Sequence, residues 1–204
     1  MPKHFMNRNK INLLARQFVL CAVFLSSTAV ALPQTEPKKK EVPAKSGEQS
    51  LPEEWNGVWK GMTVNVTADG KREEIPMELR VAPAAGGNVK TWKILYGKNA
   101  EQTTRPYEIM PVSGEPNRFV VDEKNGLFID NQLVGNTLYS QFMVTTNLVT
   151  TRFEIKGDEI SVELMMFDLR SPRKTKLTSG NVEVASYKFR STQLGTLERE
   201  KSAK

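Results

Sequence analysis

The chain holds one histidine and one cysteine, His4 and Cys21, and both fall within a stretch that reads as a cleavable export signal. A mature product would carry neither. That excludes a Ser-His-Asp or Cys-His nucleophile, a thiolate redox centre, a zinc site of Cys and His, and a histidine-ligated haem. Reaction chemistry must then rest on carboxylates, and the best cluster is Asp122, Glu123 and Asp130 around the Asn125-Gly126 turn. Two carboxylates about 5 to 10 Å apart can hydrolyse a glycosidic bond. Acidic and amide residues also favour a hairpin turn for geometry alone. The positions after Asp122 lack the alternating oxygen donors of a calcium loop. No catalytic residue, metal ligand or cofactor is assigned.

Binding chemistry is better represented. Arg105 and Tyr107 share a strand face with Ile109, and Tyr139, Gln141 and Met143 share another. Trp92, Ile94 and Tyr96 form a third such set, and Ile75, Met77, Leu79 and Val81 a fourth. An inward arginine beside tyrosines could hold a carboxylate or phosphate in two-point fashion, with apolar residues around the rest of the ligand. The ligand candidates are therefore Trp92, Arg105, Tyr107, Tyr139 and Gln141. The alternative places Arg105 in solvent and Tyr107 on an outer face, since arginine is rarely buried. Arg152, Glu154 and Lys156 alternate opposite Phe153 and Ile155, the pattern of a solvated outer face. Methionines such as Met77 and Met166 read as core filling.

These residues sit on short alternating or apolar runs separated by turn chemistry, which predicts an antiparallel all-β protein. Ten strands are expected, near Val58 to Thr67, Ile75 to Ala82, Val89 to Tyr96, Thr103 to Pro111, Arg118 to Asp122, Leu127 to Val134, Thr137 to Thr145, Leu148 to Lys156, Glu159 to Phe167 and Val182 to Ser191. Asp69-Gly70, Gly86-Gly87, Asn125-Gly126, Gly135-Asn136 and Gly157-Asp158 supply tight connections, so the strands form an up-and-down meander. Closing that meander into a barrel removes two unpaired edges. A two-sheet β-sandwich is the alternative, and the long connection Asp168 to Asn181 is either its crossover or a basic loop over one barrel end.

The opening Trp55-Asn56-Gly57-Val58-Trp59-Lys60-Gly61 carries a Gly-x-Trp-x-Gly motif, and over Leu51 to Leu194 the chain resembles the calycin barrels: lipocalins, avidins, fatty-acid-binding and nitrobindin-like proteins. The resemblance implies that Trp59 plugs the closed end and that a basic residue of the last strand lies over it. Arg190 is the candidate for that structural pairing, in which a guanidinium stacks on an indole and satisfies backbone carbonyls. Asp69-Gly70 replaces the helical lid of the fatty-acid-binding proteins, and no histidine is placed to ligate the haem of nitrobindin-like ones.

Basic residues Lys3, Arg8, Lys10 and Arg16, the apolar Phe18 to Leu25 and the small-residue site Ala29-Val30-Ala31 predict a signal peptide over 1–31 and a secreted or periplasmic product. Residues 32–50 are rich in Pro, Lys and Glu and read as a flexible linker, 51–194 as the barrel and 195–204 as a disordered tail. Most of the net charge of +6 belongs to the signal, and residues 51–194 carry eighteen basic and eighteen acidic groups. Nucleic-acid binding thus loses its electrostatic warrant, and no membrane span is expected. A sequon at Asn65-Val66-Thr67 lies within a strand. The expected function is non-catalytic binding of a small apolar or amphiphilic molecule by a monomeric barrel. The alternatives are a barrel with a packed core that acts through its surface and a carboxylate-based hydrolase.

Overall fold

The computed structural model describes residues 49–97 and 104–201. The expected signal peptide and nearly all of the linker lie outside the described residues. Among the described residues a 3-10 turn, Glu53–Trp55, precedes ten strands: β1 (Gly57–Thr67), β2 (Arg72–Pro83), β3 (Lys90–Tyr96), β4 (Arg105–Pro111), β5 (Arg118–Asp122), β6 (Phe128–Val134), β7 (Thr137–Val144), β8 (Asn147–Lys156), β9 (Glu159–Lys176) and β10 (Glu183–Arg199). Each pairs antiparallel with its sequence neighbours, and β1 pairs with β10, so the meander closes on itself as a barrel. A sandwich is ruled out by that closure. Among the described residues no helix is long and apolar enough to cross a membrane.

The motif glycines serve closure. A Cβ on Gly61 would lie 2.1 Å from the carbonyl oxygen of Thr196, and one on Gly195 would lie 2.6 Å from that of Met62. Only hydrogen fits where β1 crosses β10 at this seam. Gly57 has φ 146°, and a Cβ there would strike the Arg199 guanidinium.

Residues opposite each other in an antiparallel ladder share a face, so the register fixes what points inward. The face of Trp59 continues through Leu79, Ile94, Arg105, Ile109, Val121, Ile129, Leu138, Phe153, Val162 and Leu197. At one end this interior is sealed. Trp55, Trp59, Leu79, Ile109, Phe119, Leu138, Ile160 and Leu197 are essentially inaccessible, and Leu51 and the Trp55 turn plug the opening. Trp92 packs there against Trp55, at 6.0 Å between ring centroids, and edge-on to Phe153 at 5.4 Å.

Two cations lock the plug. Lys90 is 2 % exposed, and its Nζ donates to the Pro52 carbonyl at 3.2 Å, Glu53 Oε1 at 2.9 Å and Asn56 Oδ1 at 2.9 Å, which uses all three ammonium protons. Lys90→Met should lower stability by about 1 to 3 kcal/mol, because those acceptors lose their donor. The check is a shift of the urea midpoint with the slope unchanged.

The second cation corrects the expected pairing. Arg199, not Arg190, lies over Trp59, with its guanidinium carbon 3.9 Å from the ring centroid. It donates to the Asn56 carbonyl, to the Glu54 carbonyl at 2.7 Å and to Asp158 Oδ1 at 3.0 Å, while Trp59 Nε1 donates to the Trp55 carbonyl at 3.0 Å. Arg190 is at the opposite end, bound to Asp168 at 2.5 Å. The last strand runs to Arg199, through the Gly195 to Arg199 segment expected to be tail. The Asp168 to Asn181 connection is also largely strand, since β9 extends to Lys176 and pairs with β10 as far as Glu183.

Candidate functional site

The same inward face behaves differently at the other end. Beyond the sealed layers comes a belt of polar side chains on β1, β6, β7, β8 and β10. Gln193 Nε2 donates to Thr63 Oγ1 at 2.7 Å, and Thr63 Oγ1 donates to the Ile75 carbonyl at 2.9 Å. Ser140 and Thr151 hydroxyls meet at 2.6 Å, and Asn131 Nδ2 donates to the Ile129 carbonyl at 2.8 Å. Above this belt, the inward Ile94, Tyr96, Arg105, Tyr107, Ile129, Leu164 and Met166 are all only partly buried. One half of the interior is thus sealed, while the inward side chains of the other half, several of them at strand ends by the rim, are in part accessible to solvent.

The open half has a charged and phenolic corner. The ladder between β3 and β4 sets Ile94 opposite Arg105 and Trp92 opposite Tyr107. Tyr96, Arg105, Tyr107 and Glu123 lie near enough to interact electrostatically. Burial is the main cause that pushes the Tyr96 phenol up to about 12, opposed by the positive Arg105. Tyr107 is driven higher, first by burial and then by the Glu123 charge. Both therefore remain neutral donors near neutral pH. A phenol whose folded pKa is raised contributes stability that is intact below its unfolded value near 10 and is lost as pH climbs through the folded value. Tyr96→Phe should accordingly remove tyrosinate absorbance only from the part of an alkaline titration near pH 12, and loss of amplitude around pH 10 instead would contradict its burial.

Three further polar atoms are buried in this region without a hydrogen-bond partner: Asn65 Oδ1, Asn147 Oδ1 and Arg190 Nε. Asn65 and Asn147 occupy inward positions of β1 and β8. Asn65 is the sequon residue, and its burial withdraws it from modification in the folded chain. At the mouth, hydrogen bonds from the Arg170 side chain and backbone, and then from Arg190, hold the Asp168 carboxyl well below the usual carboxylate range.

The site residues expected from sequence divide cleanly. Arg105 and Tyr107 face the inside of the barrel and are partly buried. Trp92 is inward but 3 % exposed within the sealed half, so it is core rather than cavity wall. Tyr139 and Gln141 are corrected: they pair with Arg152 and Thr150 on the outer face, where both are exposed. The inward residues of β7 are Leu138, Ser140 and Phe142. The carboxylate cluster does not converge either. Asp122 and Asp130 face outward and meet Lys124 at 3.1 Å and Arg118 at 3.2 Å, whereas Glu123 turns toward Tyr107. Among the described residues, no group of three or more His, Cys, Asp or Glu side chains could hold a metal ion.

Sequence reasoning missed Glu123 as the partner of Tyr107 and missed the polar belt. The signal for the belt was the face of Trp59 itself, which continues as Gly61, Thr63 and Asn65, and that of Leu197, which runs back through Gly195 to Gln193.

No protein-family model and no curated protein matches the chain. Among solved structures it is similar to a protein of unknown function from the DUF3598 family of Nostoc punctiforme, at 13% identity and TM-score 0.53, over 75% of this chain and 51% of that one. This chain thus spans about half the length of that protein. It is also similar, at 10% identity and TM-score 0.48, to the S-type phycobiliprotein lyase of Guillardia theta, over 74% of this chain and 91% of that one. The closed ten-stranded meander and the first of these likenesses fit a calycin-like barrel.

Proposed function

We propose that the protein is an exported, non-catalytic barrel that receives one small amphiphilic molecule with an anionic group in the open half of its interior. The observation that carries this reading is the contrast between the halves. The sealed half leaves no room, while the inward Tyr96, Arg105, Tyr107, Leu164 and Met166 remain partly exposed. Arg105 supplies a fixed cation and the two phenols supply neutral donors, a set suited to a carboxylate or phosphate. Ile94, Ile129, Leu164 and Met166 offer apolar surface, and the unpartnered atoms of Asn65 and Asn147 offer further polar contacts. Export rests on the signal-like residues 1–31.

Native mass spectrometry of the protein recovered from an exported preparation tests the reading. The expected result is a stoichiometric excess mass that disappears on denaturation and is lost or greatly reduced in Arg105→Gln. A bare chain mass, together with no rise in unfolding temperature on adding dodecanoate or anilinonaphthalene sulfonate, would overturn it.

A further inference from the structure

Beyond the barrel wall, β9 and β10 continue as a two-stranded ribbon. The last partners offered by the neighbouring strands are Asn147 of β8, opposite Asp168, and Thr67 of β1, opposite Ser191. Past these points, Arg173 to Lys176 pair only with Glu183 to Ser186. The base is irregular: Leu169 to Pro172 stand opposite Tyr187 alone, and Ser171 has φ 54°. Every residue from Arg173 to Phe189 is exposed, on both faces. The ribbon rises from the open end of the barrel and extends about 20 Å beyond its base.

Two features of this ribbon oppose what free solvent would favour. Its tip is apolar, since Leu177 and Val182, 58% and 60% exposed, flank the uncharged turn Thr178-Ser179-Gly180-Asn181. Its charge is also one-sided. Residues 168–190 hold six basic and two acidic groups, while the rest of 51–194 holds twelve basic and sixteen acidic. The neutral domain is therefore polarised toward the ribbon. Lys174 and Lys176 share a single carboxylate, Glu183, at 3.0 and 3.8 Å, and Arg173 and Lys188 make no ion pair among the described residues. An apolar tip with basic residues immediately behind it matches the layering of a bilayer surface. Apolar side chains there reach the acyl boundary while Lys and Arg meet lipid phosphates. Nucleic acid would use the same cations but gives no reason for an apolar, uncharged tip.

We infer that the β9–β10 ribbon docks the protein onto anionic lipid membranes, with Leu177 and Val182 entering the headgroup region and Arg173, Lys174, Lys176 and Lys188 held by lipid phosphates. This stands whether or not the interior takes a ligand. If it does, the docked mouth faces the bilayer.

The test is co-sedimentation of the full chain with vesicles of phosphatidylcholine alone or containing about one-third phosphatidylglycerol. Comparison with variants cancels whatever residues 1–48 contribute. The inference expects binding to the anionic vesicles to be about tenfold or more stronger than to the neutral ones. Leu177→Ser with Val182→Ser, or Lys174→Glu with Lys176→Glu, should each remove about tenfold of that binding, with unfolding temperature unchanged because the ribbon is outside the barrel. Raising salt from about 0.1 M to about 0.5 M should weaken the charge-dependent part. Equal vesicle binding by wild type and both variants would overturn the inference. So would salt-sensitive binding of a single-stranded oligonucleotide that is unaffected by the tip substitutions, since it would make the ribbon a nucleic-acid contact.

Discussion

Trp59→Ala should lower the unfolding free energy by about 3 to 5 kcal/mol, a large part of the stability of a domain this size. The indole is wholly buried between the plug turn and the barrel floor, and its truncation leaves a cavity that the sheet cannot collapse to fill. It also frees the Trp55 carbonyl from its donor and removes the surface on which Arg199 rests. Arg199→Ala alone should cost less, about 1 to 3 kcal/mol, because it strips donors from two plug carbonyls and a cation from the ring. A double-mutant cycle between positions 59 and 199 should show coupling of about 1 kcal/mol, whereas the cycle between 59 and 190 should be additive to within about 0.5 kcal/mol. Coupling at 190 and none at 199 would reverse the assignment.

Gly61→Val should be as damaging, by about 3 kcal/mol or more. Its Cβ would stand 2.1 Å from a backbone oxygen of β10, so the strain can be relieved only by moving one strand away from the other. This opens the seam where the first and last strands meet. The expected signature is a lower thermal midpoint with hydrogen exchange accelerated most along β1 and β10. Uniform destabilisation without that local pattern would show that the seam is not where the barrel yields.

The fold was largely legible because its strands obey local rules. Arg118–Asp122 has the bounds expected from sequence, and most other strands differ by only a few residues, since positive-φ glycines such as Gly135 and Gly157 mark the turns clearly. Where the reading failed, the cause was tertiary. The expected last strand stops at Ser191 and the expected tail begins at Gly195, yet Gly195 sits in mid-strand to admit the close passage of β1. That error moved the end of the barrel to Leu194 and selected Arg190 in place of Arg199. The β10 half of the ribbon reads as strand from Val182, but its β9 half, Arg173 to Lys176, is a basic run without apolar alternation and reads as a loop.

The candidate site was half legible. Along β4, Tyr107 and Ile109 share a face with Arg105, and the partly buried character of that face follows once Ile109 is known to be core. Along β7 the two faces are chemically alike: Leu138, Ser140 and Phe142 on one, Tyr139, Gln141 and Met143 on the other. Only the ladder with β6, which sets Leu138 opposite Leu133, decides which turns inward. The Tyr107–Glu123 proximity and the polar belt join residues distant in sequence, and closure of the barrel brings them together.

The most direct test of the half-open barrel is an NMR titration of the isotopically labelled protein with dodecanoate, read through intermolecular contacts rather than shifts alone. The account predicts a single saturable site, with contacts from the acyl chain to Ile94, Ile129, Leu164 and Met166, from the carboxylate end to Tyr96 and Tyr107, and none to Trp59, Trp92 or Leu138. Contacts confined to outer-face residues such as Tyr139 and Met143, or an interior that stays silent at saturating amphiphile, would contradict it.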